Sequence, residues 1–290
     1  MFSFRQSGLV KGAMKAVGDT AVCVWCVPEN IAESWQSFCD GALPGPTLRD
    51  SPIVQNVFDH VLPLVAGEYK TFSADVLSPE IWERAVFAAK AWDTATGGRP
   101  ELDGLSFTAW KYVALCGKVA QAIAETAPSS HDHVDTPAMR IVEIGGGLGG
   151  GAIVLSHAFA CSVTSVDLPS VARCISRVST FCKAATPALR GDVATMSGDD
   201  VRASPVAEWD VVVSEHAWSE CPRVVRRVYV DTFFQTSRHG VLTCNTTDPD
   251  ASTAEEAVAL CSVSTHSGGT PRCVSLSPWP CGPASFGVHW

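Results

Sequence analysis

Basic clusters are missing from this chain of 290 residues: 30 acidic side chains outnumber 21 basic ones, and the longest basic cluster is Arg226-Arg227. At a net charge of -9 and without a base-rich patch, binding a phosphate backbone would be costly, so nucleic acid is not an expected partner. No stretch approaches the run of about 20 apolar residues that crosses a bilayer. The opening MFSFRQSGLVKGAMKAVG holds no continuous apolar core before Asp19. A cytoplasmic protein without a membrane span is therefore expected. Metal ligands are equally sparse in pattern. Cys23-Val-Trp-Cys26 has redox or zinc spacing, but neither a second CxxC nor an HxxxH completes a set. His131-Asp132-His133 lies among Pro, Ser and Asp and reads as solvated linker, so no metal site is expected. Internal repeats and low-complexity tracts are absent too.

What is present describes a packed globule. Hydrophobic residues make up 46% and charged residues 18%, enough for a sizeable core in a chain of this length. Twelve cysteines sit mostly in apolar stretches such as LTCN and YVALCGKV, where a free thiol serves as a small hydrophobe in a reducing compartment.

The hydrophobic period divides the chain. Residues 1–135 read as helical: Ser51-Pro52 and Ser78-Pro79 each set a capping residue before a proline, opening IVQNVFDHVLPLV and EIWERAVFAAKAW. FTAWKYVALCGKVAQAIAETA follows with apolar residues at three and four, and IAESWQSF is an earlier helix candidate. In 136–290, strands and helices alternate: MRIVEIGGG, CSVTSVDLP, PALRGDVA, WDVVVSEHAW and HGVLTCNTT read as strands. GGAIVLSHAF, PSVARCISRVSTFCK, CPRVVRRVYVDTFFQTSR and TAEEAVALCSV are the helices, and two strand-like pieces of the tail suit an antiparallel hairpin. The predicted fold is α/β, a Rossmann-like doubly wound, mostly parallel sheet with an N-terminal helical cap that selects the acceptor.

Residues 141–151, IVEIGGGLGGG, contain six glycines directly after the first strand, where such sheets bind ligands. Two patterns overlap there. Gly145, Gly147 and Gly150 satisfy GxGxxG, which suggests a dinucleotide; Glu143, Gly145, Gly147 and Gly149 satisfy acid-x-G-x-G-x-G, which suggests S-adenosyl-L-methionine. An acid beside the loop opposes an anionic pyrophosphate and complements a sulfonium and an ammonium. Asp167, closing the second strand, suits the ribose hydroxyls of either ligand. Gly191-Asp192 is read as the end of the third strand, with Asp192 placed for an adenine amino group and Val193 for the ring.

Residues 138–245 resemble class I S-adenosylmethionine-dependent methyltransferases, and within them the sugar O-methyltransferases. The resemblance rests on Glu143-Ile144-Gly145-Gly146-Gly147-Leu148-Gly149-Gly150, on Asp167-Leu168-Pro169, on Ser214-Glu215-His216-Ala217-Trp218-Ser219-Glu220, and on GVLTCN ending at Asn245. Ser214 stands where the family commonly has Asn. The resemblance implies a small-molecule or glycan acceptor and a donor site that includes Leu168, Ser214 and Glu215. Transfer to a neutral hydroxyl needs a base, for which His216 is the first candidate and Glu220 the second. Trp82, Trp92 and Trp110 are candidate walls of an acceptor pocket, and Trp218 is either a stacking platform or a core plug.

Overall fold

A computed structural model describes residues 13–17, 20–24, 37–41, 44, 45, 48, 51, 55, 63–126, 139–198, 200–203, 208–221, 223–245, 272–274 and 285–289. Strands β1 (Ala13–Val17) and β2 (Thr20–Val24) pair antiparallel, so the N-terminal part is not purely helical. Helices α1 (Pro63–Val76), α2 (Pro79–Thr96) and α3 (Phe107–Thr126) follow. The sheet is built from β3 (Arg140–Ile144), β4 (Ser162–Asp167), β5 (Asp192–Ser197), β6 (Trp209–Glu215), β7 (Ser237–Asn245), β8 (Arg272–Val274) and β9 (Ser285–His289). Between these strands lie α4 (Gly150–Ala158), α5 (Pro169–Ala185), the short α6 (Ala217–Glu220) and α7 (Arg223–Tyr229).

Local chemistry sets several boundaries. Ser78 caps α2, its hydroxyl accepting the Ile81 N–H, and Pro79 begins the helix where its missing N–H costs nothing. Gly97 ends it in the left-handed region, as a C-cap glycine does. The helix expected from Ser51-Pro52 falls mostly outside the described residues, where Gln55 is helical and its N–H donates to the Ser51 carbonyl at 2.9 Å; α1 begins at Pro63, near the end of the run IVQNVFDHVLPLV, where a proline is well tolerated. The expected helices IAESWQSF and TAEEAVALCSV and the motif His131-Asp132-His133 fall mostly or wholly outside the described residues, although 37–41 is helical.

The strand order is β5-β4-β3-β6-β7-β9-β8. β5, β4, β3, β6 and β7 run parallel, while β9 pairs antiparallel with both β7 and β8. The fold is thus Rossmann-like α/β, with the order reversing between β3 and β6, the point at whose carboxyl ends such sheets form their ligand crevice.

Alternation along the strands sorts side chains between two cores. Ile141, Val163, Val211, Val213 and Val241 face a layer containing Trp92, Val113, Leu148, Ile153 and Ile175. Val142, Ile144, Val166, Val212 and Leu242 face Trp218, Tyr229, Phe233 and Phe234. Helices α1–α3 therefore share one apolar core with α4 and α5 against a face of the sheet whose ligand edge lies at the strands' carboxyl ends. What they send to that edge is a small set of polar side chains from α3. Among the described residues, no helix is long and apolar enough to cross a membrane.

Candidate functional site

The glycine turn leaves β3 at the crevice, and most of its glycines serve the protein's own packing. A Cβ on Gly146 or Gly151 would collide with the carboxylate of Glu143, which lies directly beneath the turn. Gly147 differs: its φ is +57° and the space above its Cα is open. Side chains rarely adopt that backbone, and a ligand can approach it closely. The turn is pinned from the N-terminal helices, because the Trp92 indole N–H donates to the Leu148 carbonyl at 3.1 Å and Trp92 meets the Tyr112 ring edge-on at 4.9 Å. Trp92 is fully buried and Trp110 nearly so, the latter stacked on Trp82. Trp92 and Trp110 are core residues, and Trp92 supports the turn.

Glu143 is 5% exposed and accepts a hydrogen bond from the Ser165 hydroxyl at 2.8 Å. Burial pushes its carboxyl up to about 7; Ser165 and Lys111 oppose that rise, while Asp167 and Glu215 add to it. Asp167, at the end of β4, is held by two backbone donors. The Gly147 N–H reaches Oδ2 at 3.0 Å and the Leu168 N–H reaches Oδ1 at 2.7 Å. Burial lifts this carboxyl to about 6 against the pull of those two amides. The carboxylate is fixed in direction and keeps further lone pairs for a ligand.

Beyond β3, Glu215 closes β6 on the same face as Val211 and Val213. Lys118 of α3 donates to its Oε1 at 2.7 Å and to the Thr243 hydroxyl at 3.1 Å, and that hydroxyl donates to the same oxygen at 2.9 Å. Burial would raise the Glu215 carboxyl, but Lys118, Lys111 and His216 outweigh it and hold it at about 2. His216 then turns the chain at φ 73° and ψ -38°, an uncommon conformation for a residue with a side chain. Its N–H donates to the Thr243 carbonyl at 2.8 Å. Burial, with Lys111 and Lys118, depresses the imidazole to about 4 although Glu215 pulls the other way, so it is neutral at neutral pH.

Other expected site residues are placed differently. Asp192 begins β5 and pairs in register with Ser162, the first residue of β4. It therefore lies at the opposite edge, roughly 17 Å from the carboxyl ends at about 3.3 Å per residue. Its side chain is 83% exposed and ion-paired with Lys183 at 2.8 Å. The adenine role for Asp192 and Val193 is corrected accordingly. Gly191, at φ 73°, makes the turn into the strand and not the turn out of it, while Val193 packs at the border of the core. The sequence held a second such pair, Gly198-Asp199, and Gly198 follows directly on the end of β5. Ser214 is engaged internally, donating to the Ile144 carbonyl at 3.1 Å and accepting the Trp218 N–H at 3.0 Å. Trp218 is a core plug, packed on Phe234. Glu220 closes α6, and its side chain lies outside the described residues.

Lys111, Lys118, Ser165 and Thr243 went unnoticed in the sequence. The lysines did leave a signal: they are seven residues apart in a helix otherwise rich in apolar residues, which puts both on one stripe. Both are buried, at 8% and 3% exposure. Among the described residues, no group of three or more His, Cys, Asp or Glu could hold a metal ion.

No protein-family model matches the sequence, and no curated protein matches it. Similar solved structures include PigF with SAH, at 12% identity and TM-score 0.38, covering 60% of this chain and 65% of that one, just under two thirds of its length. Magnesium protoporphyrin IX methyltransferase (ChlM) from Synechocystis PCC 6803 with bound SAH has 13% identity and TM-score 0.43, covering 71% of this chain and 96% of that one. The mitomycin 7-O-methyltransferase MmcR has 16% identity and TM-score 0.39, covering 90% and 83%. At scores of this size, the fold is read from the chain's own strand order.

Proposed function

We propose that the chain is an S-adenosylmethionine-dependent O-methyltransferase, with the hydroxyl of a sugar or glycoconjugate as acceptor. The observation that carries the donor reading is Asp167 locked by the Gly147 and Leu168 amides beside the open turn. A carboxylate fixed there suits a ribose diol, and the buried Oε2 of Glu215 at the same edge, unpartnered among the described residues, favours a cationic donor. The spent Gly147 N–H weighs against a dinucleotide. A pyrophosphate needs the amides of its glycine turn, and this one already serves Asp167. A cation at this edge also offsets the cost of ionising Glu143 beneath it.

Within that reading, Gly147 and Asp167 hold the nucleoside part and Glu215 faces the donor's ammonium. When bound, the donor supplies a methyl group activated on a sulfonium. His216 is the proton acceptor for the hydroxyl, present as neutral imidazole at neutral pH. A base of pKa about 4 is too weak to make an alkoxide beforehand, so it takes the proton as the new C–O bond forms and the oxygen turns acidic. The sugar acceptor is supported by the resemblance in the SEHAWSE segment. Calorimetry with S-adenosylhomocysteine and with NAD tests the donor; binding of NAD alone would overturn it. A labelled methyl-transfer screen against sugars, glycolipids and phenols, repeated with His216→Ala, tests acceptor and base. Transfer only to non-hydroxyl acceptors, or full turnover without His216, would refute those assignments.

A further inference from the structure

Resting on the donor reading above, we infer that Lys118 is a positioning residue: it fixes Glu215 on one oxygen so that the other faces the bound ligand's ammonium. The geometry is a closed triangle. Lys118 Nζ, Thr243 Oγ1 and Glu215 Oε1 lie within 2.7–3.1 Å of one another, so the bonds from Lys118 and Thr243 to Glu215 converge on one carboxylate oxygen and the third ties the two donors together. Glu215 Oε2 is buried and has no hydrogen-bond partner among the described residues. Buried carboxylate oxygens are normally satisfied, and leaving one bare is costly. A ligand that brings N–H donors to this oxygen removes that cost.

The charge balance points the same way. The groups acting on Glu215 are Lys111 and Lys118 of α3 and its neighbour His216, and Glu215 in turn acts on Tyr112 of α3 and Glu143 of β3. His216 is neutral at neutral pH and Glu143 is anionic or neutral, so the two lysines are the lasting cations. Lys118 makes the direct contact. Without it, burial carries Glu215 toward its protonated form, and a protonated acid has less to offer an ammonium. A lysine from the N-terminal helical part thereby controls an acid of the sheet, and donor affinity depends on both.

The test compares S-adenosylhomocysteine, which carries the ammonium, with 5′-methylthioadenosine, which keeps the nucleoside and thioether and lacks it. Calorimetry on the full chain and on Lys118→Met is run from pH 6 to 8.5. The variant is expected to lose roughly 10- to 100-fold in S-adenosylhomocysteine affinity at pH 7, the range of a charged hydrogen bond. The loss should shrink as pH rises and Glu215 ionises, while methylthioadenosine binds both proteins alike. Unchanged S-adenosylhomocysteine affinity, or equal loss of both ligands at every pH, overturns the assignment. Wild-type protein that binds neither nucleoside overturns the donor reading itself. If Lys118→Met does not fold, Glu215→Gln must weaken S-adenosylhomocysteine alone and without recovery at high pH; full affinity there is likewise fatal.

Discussion

Glu143→Gln isolates the charge that lies beneath the glycine turn. In the folded protein this carboxyl titrates at about 7 against an ordinary value of 4.5, chiefly because burial disfavours its charge. Between those two pH values the folded state keeps a proton that the unfolded chain has released, so stability falls as pH rises through the window and levels above it. The accumulated loss is about 3 kcal/mol. Glutamine keeps the shape and still accepts the Ser165 hydroxyl, which bonds Glu143 at 2.8 Å, but it has no charge to bury. Urea denaturation at pH 5 and pH 8 measures the difference. Asp167, raised to about 6, adds a fall of the same sign to both proteins, so comparing variant with wild type removes it. The variant should gain about 2–3 kcal/mol on wild type at pH 8 relative to pH 5 and should bind S-adenosylhomocysteine more weakly. Parallel pH profiles would show that Glu143 is not ionised at a cost, leaving a bound cation nothing to offset there.

Three further outcomes are expected. Gly147→Ala, at φ +57°, should lose about 1 kcal/mol in thermal or urea denaturation and a larger share of nucleoside affinity, since its Cβ would stand in the open space of the crevice. Unchanged affinity would place the ligand elsewhere. Trp92→Phe leaves the Leu148 carbonyl unmet and should cost about 1–3 kcal/mol, with weaker nucleoside binding from a looser turn; a silent substitution would deny that α2 holds the loop. Asp192→Ala should leave nucleoside affinity within about twofold, as an exposed ion pair at the far edge of the sheet requires, and a large loss would restore the adenine role discarded above.

The alternation of strands and helices after Ala138 was legible because a buried parallel strand and an amphipathic helix each impose a period on their own residues. So were the positions of Glu143, Gly147 and Asp167, which local turn chemistry places at strand ends. Asp192 was misread because Gly-Asp marks a turn without saying whether a strand enters or leaves it. The buried lysines were missed because a charge in an apolar helix has meaning only once its partner is known, and Glu215 lies 97 residues further along. By itself, then, the sequence determined the α/β order and the acidic glycine turn, which depend on interactions between near neighbours. Tertiary structure alone decided that α3 brings Lys118 onto Glu215, that Trp92 supports the turn, and that Gly146 and Gly151 close over Glu143. Contacts between distant segments are set by how the layers pack, and no local pattern records them.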